Sequence, residues 1–495
     1  MNLGKIPMLS KSRFVAGLHC PLRLWHLCYN PDLVTEVSPV QQAIFDTGHE
    51  VGRLATRLYP GGVLIEEDHL HHEEAMKSTL AALEDPSVPA IFEGAFLYDG
   101  VRIRADILER LDDDRWNLIE VKSSTSVKDY HLPDVAVQCH VLKGSGLAVG
   151  AAGIMHLNNQ YLYDGEHLDL ESLFSFFDLS GQVLDIQDEI RLKIAELKKA
   201  LAGSVPPETV PSRGCNSPYG CEFWEYCTAE RPEFWVMQLS GIGQKKLDQL
   251  AELGIEDIRD IPTSFPLTKR HERIRDCTVS GAAYAAPELT TDLMDVQYPV
   301  HFLDFETVSP AIPRYANTRP YQTIPFQWSD HILSKDGTIE HREYLCQEDK
   351  DPREEFAGTL LETLGHKGSI FVYTNYEKRV IEELAEFFPQ YRNELLTLLD
   401  RLKDLHALVK KHVYHPEFHG SFSLKSVLPA LVPSMGYDKL AIQDGNLASI
   451  EYLRMLDSDT VTAEREKIKE SLLEYCGNDT LGMVKIREEL LKRGG

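Results

Sequence analysis

Val101-Arg-Ile-Arg-Ala-Asp106-Ile-Leu and Trp116-Asn-Leu-Ile-Glu120-Val-Lys122 are the two stretches that decide the fold of the first half of the chain. Both have the alternating apolar pattern of a β-strand. Side chains two residues apart on a strand share a face, so Glu120 and Lys122 project together, toward Asp106 if the strands pair. Two carboxylates hold Mg²⁺ through oxygen ligands, and an adjacent ammonium positions or deprotonates a water. The two strands therefore predict a metal-dependent hydrolytic site.

Length and composition are typical of a globular protein with several domains. The 495 residues correspond to two to four domains of about 100–200 residues each. Hydrophobic residues make up 43% and charged residues 26%, a balance that excludes wholesale disorder. No run approaches the roughly 20 apolar residues that cross a bilayer, and no apolar leader opens the sequence. We therefore expect a cytoplasmic protein without membrane contact.

The charge balance is strongly acidic. Lys and Arg number 51 against 77 Asp and Glu, which gives a formal charge of −26. This balance argues against a protein that holds nucleic acid on a broad basic surface. It is compatible with an enzyme that neutralises clustered carboxylates with divalent metal.

The pattern of predicted helices and strands changes twice along the chain. We predict an α/β multidomain fold. Residues 1–230 mix helices and strands and end in a cysteine cluster. Residues 231–290 are helical and punctuated by glycine, and the run 282–289 is typical of a linker. Residues 291–495 begin with a buried strand and finish in a long charged helix.

Three cysteines, Cys215, Cys221 and Cys227, fall within 13 residues. Nine cysteines in so long a chain do not make a disulfide scaffold, and clustered thiolates are soft ligands for Zn or an iron–sulfur cluster. The best distant candidate for a fourth ligand is Cys20, and Cys28 is its competitor. The alternative interpretation is three buried thiols that only pack.

Two predicted helices flank the first constellation. The upstream helix offers the imidazole of His49, and the downstream helix offers the amide of Gln138. With one cysteine before this order and three after it, roughly residues 10–230 resemble the iron–sulfur branch of the RecB-like PD-(D/E)xK nucleases. In that family's QxxxY-like motif the last position is Tyr, and here it is Leu142.

The resemblance implies a restriction-endonuclease-like mixed sheet and a set of site residues. It implies His49, Asp106 and Glu120 as ligands of Mg²⁺ or Mn²⁺, Lys122 as the catalytic lysine and Gln138 as a supporting residue. It also implies a [4Fe–4S] cluster on Cys20, Cys215, Cys221 and Cys227. The spacing of the cysteines alone does not separate such a cluster from Zn.

The middle segment contains Leu239-Ser-Gly241-Ile-Gly243-Gln-Lys-Lys-Leu, which resembles a helix–hairpin–helix motif. Paired glycines permit a tight turn that exposes backbone N–H groups at a following helix N-terminus, and such groups bind phosphate without reading sequence. Lys245 and Lys246 add positive charge. We expect this turn to contact the nucleic-acid backbone, with simple domain bridging as the alternative.

A second constellation begins at Pro299-Val-His-Phe-Leu-Asp304-Phe-Glu306, a buried strand that ends in two acids on one face. Burying two like charges side by side is costly unless a cation compensates them. Far along the chain, Tyr475 and Asp479 are four residues apart and share one face of a predicted helix. The pattern predicts a second metal site.

This set resembles the Tyr-containing branch of the DnaQ-like exonucleases, which have an RNase H-like fold. The resemblance implies Asp304, Glu306, Glu377 and Asp479 as ligands of two divalent ions, with Tyr475 orienting or deprotonating the attacking water. The middle acid is usually an Asp four residues after an Asn, whereas here Glu377 follows Tyr373. Fused proteins with a RecB-like and an RNase H-like domain use Glu at this place, and the whole chain resembles them.

We therefore expect a metal-dependent nuclease with a RecB-like site and a 3′–5′ exonuclease-like site, and DNA as its partner. One alternative is a nucleic-acid-binding scaffold in which a nuclease domain has decayed. The other is an RNA-processing exonuclease, because these residues do not reveal whether a 2′-hydroxyl is recognised.

Overall fold

The computed structural model describes residues 6–68 and 70–493, and the chain divides into two compact units. The first unit comprises Met1–Ala229 and Pro310–Gln322, and the second comprises Glu230–Ser309 and Thr323–Gly495. Both units contain a mixed sheet and many helices. The predicted α/β multidomain fold is confirmed at this level. Among the described residues, no helix has both the length and the apolar character needed to cross a membrane.

The first unit begins with helices and continues with strands and helices in alternation. In chain order its elements are β1 (Leu9–Ser10), α1 (Lys11–His19), α2 (Pro21–Tyr29), α3 (Pro39–Thr56), β2 (Val63–Leu64), α4 (His72–Glu84), β3 (Ala90–Tyr98), β4 (Val101–Arg110), β5 (Trp116–Lys122), α5 (His131–Gly144), β6 (Val149–Leu157), α6 (Leu170–Leu173), β7 (Phe174–Asp178), α7 (Ser180–Asp185), α8 (Gln187–Ala202) and α9 (Trp224–Thr228).

The first sheet has the strand order β2-β3-β4-β5-β6-β7, and β1 pairs with β4. Strands β3, β4 and β5 are antiparallel neighbours, whereas β6 runs parallel to β5. The register of β4 and β5 ends at the pair Ile107 and Ile119. At the other end of β4, β1 pairs with Val101 and Arg102. The strands β4 and β5 therefore separate beyond Ile107, next to the predicted acids.

Two apolar cores cover this sheet. Leu118 belongs to the core that contains Val141 of α5, and Ile119 belongs to the core that contains Leu54 of α3. Adjacent residues of a strand point to opposite faces, so β5 is buried on both sides. The second core also contains Ala311, which explains why Pro310–Gln322 belongs to the first unit.

The elements of the second unit begin with the middle segment. They are α10 (Gln244–Glu252), α11 (Lys269–Ser280), β8 (Tyr284–Ala285), α12 (Leu289–Met294), β9 (Val300–Val308), β10 (Ile324–Leu333), β11 (Ile339–Leu345), α13 (Arg353–Leu364), β12 (Ser369–Val372), α14 (Tyr376–Phe387), α15 (Arg392–Leu399), β13 (Leu402–Asp404), α16 (Leu405–His412), β14 (Val413–Tyr414), α17 (Leu424–Leu431), α18 (Gly445–Leu456) and α19 (Thr462–Arg493).

The second sheet has the order β11-β10-β9-β12-β13. Strand β9 lies at its centre, antiparallel to β10 and parallel to β12. Leu303 and Phe305 of β9 pack into a core with Phe356 of α13 and Ile381 of α14. The alternate residues of β9 therefore face the other side of the sheet, along which α19 packs against β9 and β10.

The middle segment is not a separate unit, which differs from the predicted division into three regions. Strand β8, within the run predicted as a linker, pairs with β14 of the second unit, and the Arg273 guanidinium donates to the carbonyl of Lys411. Three short helices bury too little apolar surface for a core of their own, so they join the larger unit. The predicted boundary near residue 230 agrees with the start of the second unit.

Candidate metal centres

Three carboxylates converge on the face of β9 that is opposite its apolar core. Asp304 and Glu306 alternate with Leu303 and Phe305 along the strand, and α19 brings Asp479 to the same place. One oxygen atom of each of these three side chains lies within 4.8 Å of the others. The structure thus brings together residues that are more than 170 positions apart in the sequence. Oxygen donors at this spacing fit a hard divalent cation such as Mg²⁺ or Mn²⁺.

Glu306 and Asp479 are buried and Asp304 is half-buried, and the pKa values of the three acids are raised. Burial raises the pKa of Asp304 well above its ordinary value, and the charge of Asp479 adds to the rise. Burial likewise raises the pKa of Glu306, with Asp304 as the next cause. The pKa of Asp479 rises to about 6 through burial, although the hydroxyl of Tyr437 and the charge of Lys425 oppose the shift. A bound cation would remove this like-charge repulsion.

Glu377, the predicted middle acid, lies in the first turn of α14 and is 2% exposed. Its pKa is raised well above the ordinary value, first by burial and then by the charge of Asp304. Its Oε2 atom is buried without a hydrogen-bond partner among the described residues. An unpartnered buried carboxylate oxygen is costly, and a metal ion would satisfy it. The residues present therefore fit a divalent cation.

Tyr475 lies one turn before Asp479 on α19, and its hydroxyl opposes the rise in the pKa of that carboxylate. Burial raises the pKa of Tyr475 far above its ordinary value, and the neighbouring acids add to the rise. The phenol is therefore protonated.

Two further residues of this cluster are not evident from the sequence. The Tyr437 hydroxyl donates to Asp479 Oδ1, and the Cys476 thiol donates to Asp304 Oδ2 at 3.4 Å. The Cys476 thiol thus contacts a candidate ligand carboxylate. The Y-x(3)-D spacing points to Tyr475 and Asp479 only, and no sequence signal marks Tyr437.

The first unit brings the predicted acids and lysine together where β4 and β5 separate. The backbone N–H of Val121 donates to Asp106 Oδ2 at 2.8 Å. This hydrogen bond lies beyond the last residue pair of β4 and β5. The Lys122 ammonium donates to Glu120 Oε1 at 2.7 Å, and the Gln138 amide donates to Glu120 Oε2 at 2.7 Å. Four of the side chains singled out from the sequence thus lie in one cluster.

Lys11 and Asp134 complete this cluster, and the sequence interpretation missed both. The Lys11 ammonium donates to both oxygens of Glu120 at 2.9 Å and lies 3.6 Å from Asp106 Oδ1. The Lys122 ammonium also donates to Asp134 Oδ2 at 2.7 Å. Lys11 is 109 positions from Glu120, so only tertiary structure reveals it. Asp134 is one helical turn before Gln138 on α5, which is a signal that could have identified it.

The ammonium groups set the protonation of these acids. Burial raises the pKa of Asp106 to about 7, and the charge of Glu120 adds to the rise. Burial would also raise the pKa of Glu120, but the charges of Lys11 and Lys122 outweigh it and hold that pKa far below its ordinary value. Asp106 and Glu120 are donors of the right kind for Mg²⁺. In the observed arrangement the Lys11 ammonium bridges them, so a cation competes with Lys11 for these oxygens.

His49 does not join the carboxylates. It lies on α3 as predicted, but its side chain is exposed and forms no hydrogen bond or ion pair with the rest of the described chain. The buried face of α3 is formed by Val51, Leu54 and Ala55. His49 lies outside that face, so its predicted role as a metal ligand has no support in the geometry.

Four cysteines line one small cavity of about 20 Å³, and they are Cys20, Cys215, Cys221 and Cys227. Burial raises the pKa of the Cys227 thiol, and the other three thiols add to the rise. Cys28 instead packs against the apolar core of α1, α5 and α8. Between the two candidates for a fourth ligand, the geometry favours Cys20. Thiolate donors fit a soft metal.

The glycine-rich turn of the middle segment precedes α10 as predicted. Gly241 has a positive φ of 79°, and Gly243 is the N-cap of the helix. Lys245 is exposed, whereas the Lys246 ammonium donates to the carbonyl of Pro266. Only a 3₁₀ turn, Val236–Gln238, precedes this hairpin. The first helix of the predicted helix–hairpin–helix motif is therefore reduced to that turn.

Comparison with known proteins finds a family that matches a segment of the second unit together with Pro310–Gln322 of the first. Residues 301–423 match the family described as Domain of unknown function (DUF2779). The matched region contains Asp304, Glu306 and Glu377 and ends before Tyr475 and Asp479.

A curated relative is the Uncharacterized protein UU173 of Ureaplasma parvum serovar 3 (strain ATCC 700970). It is 24% identical over 211 residues, which cover 37% of this chain and 30% of the relative. The chain thus aligns with under a third of the length of that relative.

Proposed function

We propose that the protein is a metal-dependent nuclease with a hydrolytic centre in each unit. The observation that carries this proposal is the convergence of Asp304, Glu306 and Asp479 within 4.8 Å on a buried sheet face, with Glu377 and Tyr475 beside them. Buried acids without a compensating cation are costly, so their grouping favours a metal centre over a structural role. The second unit is proposed to have an RNase H-like fold of the DnaQ type.

In the second unit the four acids would hold two divalent ions. Such ions lower the pKa of water and stabilise charge on the leaving oxygen of a phosphodiester. The Tyr437 hydroxyl fixes the orientation of the Asp479 carboxylate by donating to it. The Tyr475 hydroxyl can in addition donate to the attacking water.

In the first unit Asp106 and Glu120 would hold Mg²⁺ or Mn²⁺, and we propose a restriction-endonuclease-like fold for this unit. Lys122 lies within hydrogen-bond distance of Glu120 and Asp134, so its ammonium is fixed beside the proposed metal ligands. A fixed ammonium stabilises the negative charge that develops on a phosphate during cleavage. Gln138 holds the other Glu120 oxygen and keeps the carboxylate in place.

The four cysteines would hold an iron–sulfur cluster, with Zn as the alternative. Their joint cavity brings Cys20 of the first helical pair to Cys215, Cys221 and Cys227, about 200 residues later. Such a centre would link the two ends of the first unit and stabilise its fold, because metal binding contributes folding free energy.

A second candidate function is a nucleic-acid-binding protein in which only the second unit cleaves. The observation that favours it is the Lys11 ammonium between Glu120 and Asp106, which competes with metal in the first unit.

The proposal is tested by incubating the protein with labelled single- and double-stranded DNA and RNA in Mg²⁺ and in Mn²⁺. The control is the double variant Lys122→Ala, Asp304→Ala. We expect cleavage of DNA by the wild type and none by the variant. Equal product from both proteins, or none from either, contradicts the proposal, and cleavage of RNA alone reassigns the substrate.

A further inference from the structure

The first unit contains a cavity of about 590 Å³ beside its carboxylate cluster. The cavity is lined by the first turn of α1, the start of β4 and the start of α4. Its charged lining consists of Lys11, Arg13, Arg102 and Arg104, and His72 adds an imidazole. No carboxylate belongs to this lining among the described residues. In a chain with 77 acidic and 51 basic residues, four cations in one cavity form a local anion site.

Arg102 is the cation of this cavity whose charge is least satisfied. The Arg104 guanidinium pairs with Glu93 at 3.0 Å, and the Arg13 guanidinium donates to the carbonyl of Met8 at 3.2 Å. Arg102 forms no ion pair with any described carboxylate, and its Nε atom is buried without a hydrogen-bond partner. A buried donor left unpaired costs free energy that an anionic ligand would recover.

The backbone of α1 adds to the positive potential. Ser10 is the N-cap of this nine-residue helix, and Ser10, Lys11 and Ser12 line the cavity. The N-terminus of a helix carries a partial positive charge and backbone N–H groups that favour anions. The guanidinium groups and the N-terminus of α1 therefore both favour an anion in this cavity.

Lys11 connects this cavity with the carboxylates. Its side chain lines the cavity, and its ammonium donates to Glu120. Lys11 thus belongs both to the cavity and to the proposed cleavage site. The volume is in the range of pockets that hold a nucleotide-sized group.

We infer that this cavity binds a backbone phosphate of the nucleic-acid strand whose neighbouring phosphodiester lies at Asp106, Glu120 and Lys122. The inference rests on the proposed nuclease function and adds to it a site for the substrate. Guanidinium groups bind phosphate oxygens in pairs and do not read the base. The site therefore positions the strand without selecting a sequence.

The test measures binding of a fluorescein-labelled single-stranded DNA by anisotropy, in Ca²⁺ and with the full-length protein. We expect Arg102→Gln to weaken binding about tenfold, which corresponds to about 1.4 kcal/mol. The slope of log affinity against log salt should fall by about 0.7 when one phosphate contact is lost. The matched control is Arg115→Gln, which makes the same charge change at an exposed arginine of the same unit that pairs with Asp113.

The outcomes separate this inference from the proposed function. Equal affinities for Arg102→Gln and wild type, or equal weakening by Arg102→Gln and Arg115→Gln, overturn the cavity site even if the wild type cleaves DNA. A wild type that neither binds nor cleaves overturns the proposed function as well. Arg102→Lys retains the charge and should recover part of the affinity, whereas a misfolded Arg102→Gln would show a lowered melting temperature.

Two competitors distinguish the strand from a free phosphate compound. Inorganic phosphate and deoxynucleoside monophosphate should displace the labelled strand only at concentrations far above its dissociation constant. Displacement by either competitor at concentrations comparable to those of unlabelled strand contradicts the inference and assigns the cavity to a small phosphate ligand.

Discussion

Two tyrosines, Tyr437 and Tyr475, lie beside the carboxylate of Asp479, and the Tyr437 hydroxyl donates to it. This hydrogen bond holds a carboxylate that would otherwise be repelled by Asp304 and Glu306. If the centre binds metal, we propose different roles for the two hydroxyls. The Tyr475 hydroxyl is on the same helix as Asp479 and is surrounded by the acids, so it is the one that we propose for orienting water.

Tyr475→Phe retains the ring and removes only the hydroxyl. We expect nucleotide release to fall about 100-fold, the lower end of the effect of a positioned proton-transfer group. The free energy of unfolding should change by no more than about 1.5 kcal/mol, since one hydrogen bond is lost. Release of labelled mononucleotide and urea unfolding measure the two effects.

The matched control is Tyr29→Phe, which removes a tyrosine hydroxyl that donates to the carbonyl of Leu201 in the first unit. This variant should release nucleotide at the wild-type rate. If Tyr475→Phe does the same, its hydroxyl has no part in the reaction.

The Lys11 ammonium contacts Glu120 and Asp106, so if these acids bind metal, removal of Lys11 should strengthen the binding. In an Asp304→Ala background, which disables the second centre, we expect Lys11→Met to lower the dissociation constant for Mn²⁺ about tenfold, or about 1.4 kcal/mol. Titration calorimetry measures this constant directly. Lys77→Met removes an exposed lysine of the same unit and should leave it unchanged. Unaltered affinity in Lys11→Met would contradict the competition.

The raised pKa of Asp479, about 6, gives the second centre a pH dependence. In the unfolded chain this pKa is near its ordinary value of 3.8, so between about 4 and about 6 the folded, metal-free protein binds more protons. Its stability therefore falls as pH rises through this window, and the loss is complete above about 6. Metal requires the deprotonated carboxylates and removes their repulsion.

We accordingly expect Mn²⁺ to raise the melting temperature more at about pH 8 than at about pH 5. Differential scanning calorimetry with and without Mn²⁺ provides the measurement. Asp479→Asn should reduce the difference between the two pH values. An equal rise at both pH values in the wild type would show that these acids do not bind metal.

At the scale of single residues, the sequence predicts the site where the site residues are close neighbours along the chain. The two-residue spacing of Glu120 and Lys122 on one strand, or of Asp304 and Glu306 on another, fixes their shared face. Lys11 and Tyr437 are distant in sequence from the acids that they contact, at separations of 109 and 42 residues. Only the tertiary fold brings them there.

At the scale of elements, the separation of β4 from β5 creates the first site. The pairing of β4 with β5 ends at Ile107 and Ile119. The Asp106 carboxylate then accepts a hydrogen bond from the backbone N–H of Val121. The two strands are predictable from their alternation of apolar residues, but the point where they separate is not. The two-residue strand β1 pairs with the other end of β4.

The cysteine cluster joins the start of α2 to α9 and the loop before it, and its ligands can be assigned by substitution. We expect Cys20→Ser to lose the bound metal and to lower the melting temperature of the protein. Metal content by mass spectrometry and visible absorbance of anaerobically purified protein provide the readout, and a brown protein indicates iron and sulfide.

Cys28→Ser is the matched control, because Cys28 packs in the core and does not line the cysteine cavity. It should keep its metal. Loss of metal from Cys28→Ser with retention in Cys20→Ser would reverse the assignment of the fourth ligand, and a colourless protein with stoichiometric zinc would exclude the iron–sulfur cluster.

At the scale of the whole molecule, each unit has its own sheet, cores and candidate centre. The sequence predicts three regions, two of which contain a constellation of acids, whereas the structure assigns the middle segment to the second unit. It does not predict that Pro310–Gln322, which follows the D-x-E strand, belongs to the first unit, because this depends on Ala311 entering a core formed by residues more than 130 positions earlier. The acidic net charge likewise does not predict the basic cavity in the first unit.

The central claim is that the acids of the second unit form a hydrolytic metal centre. The most direct measurement compares mononucleotide release from a labelled DNA strand by two proteins, Lys122→Ala and Lys122→Ala with Asp304→Ala. Since the four acids share the same ions, loss of Asp304 should abolish release by the second unit. We predict release by the single variant and none by the double variant. Equal release by the two proteins would contradict the claim.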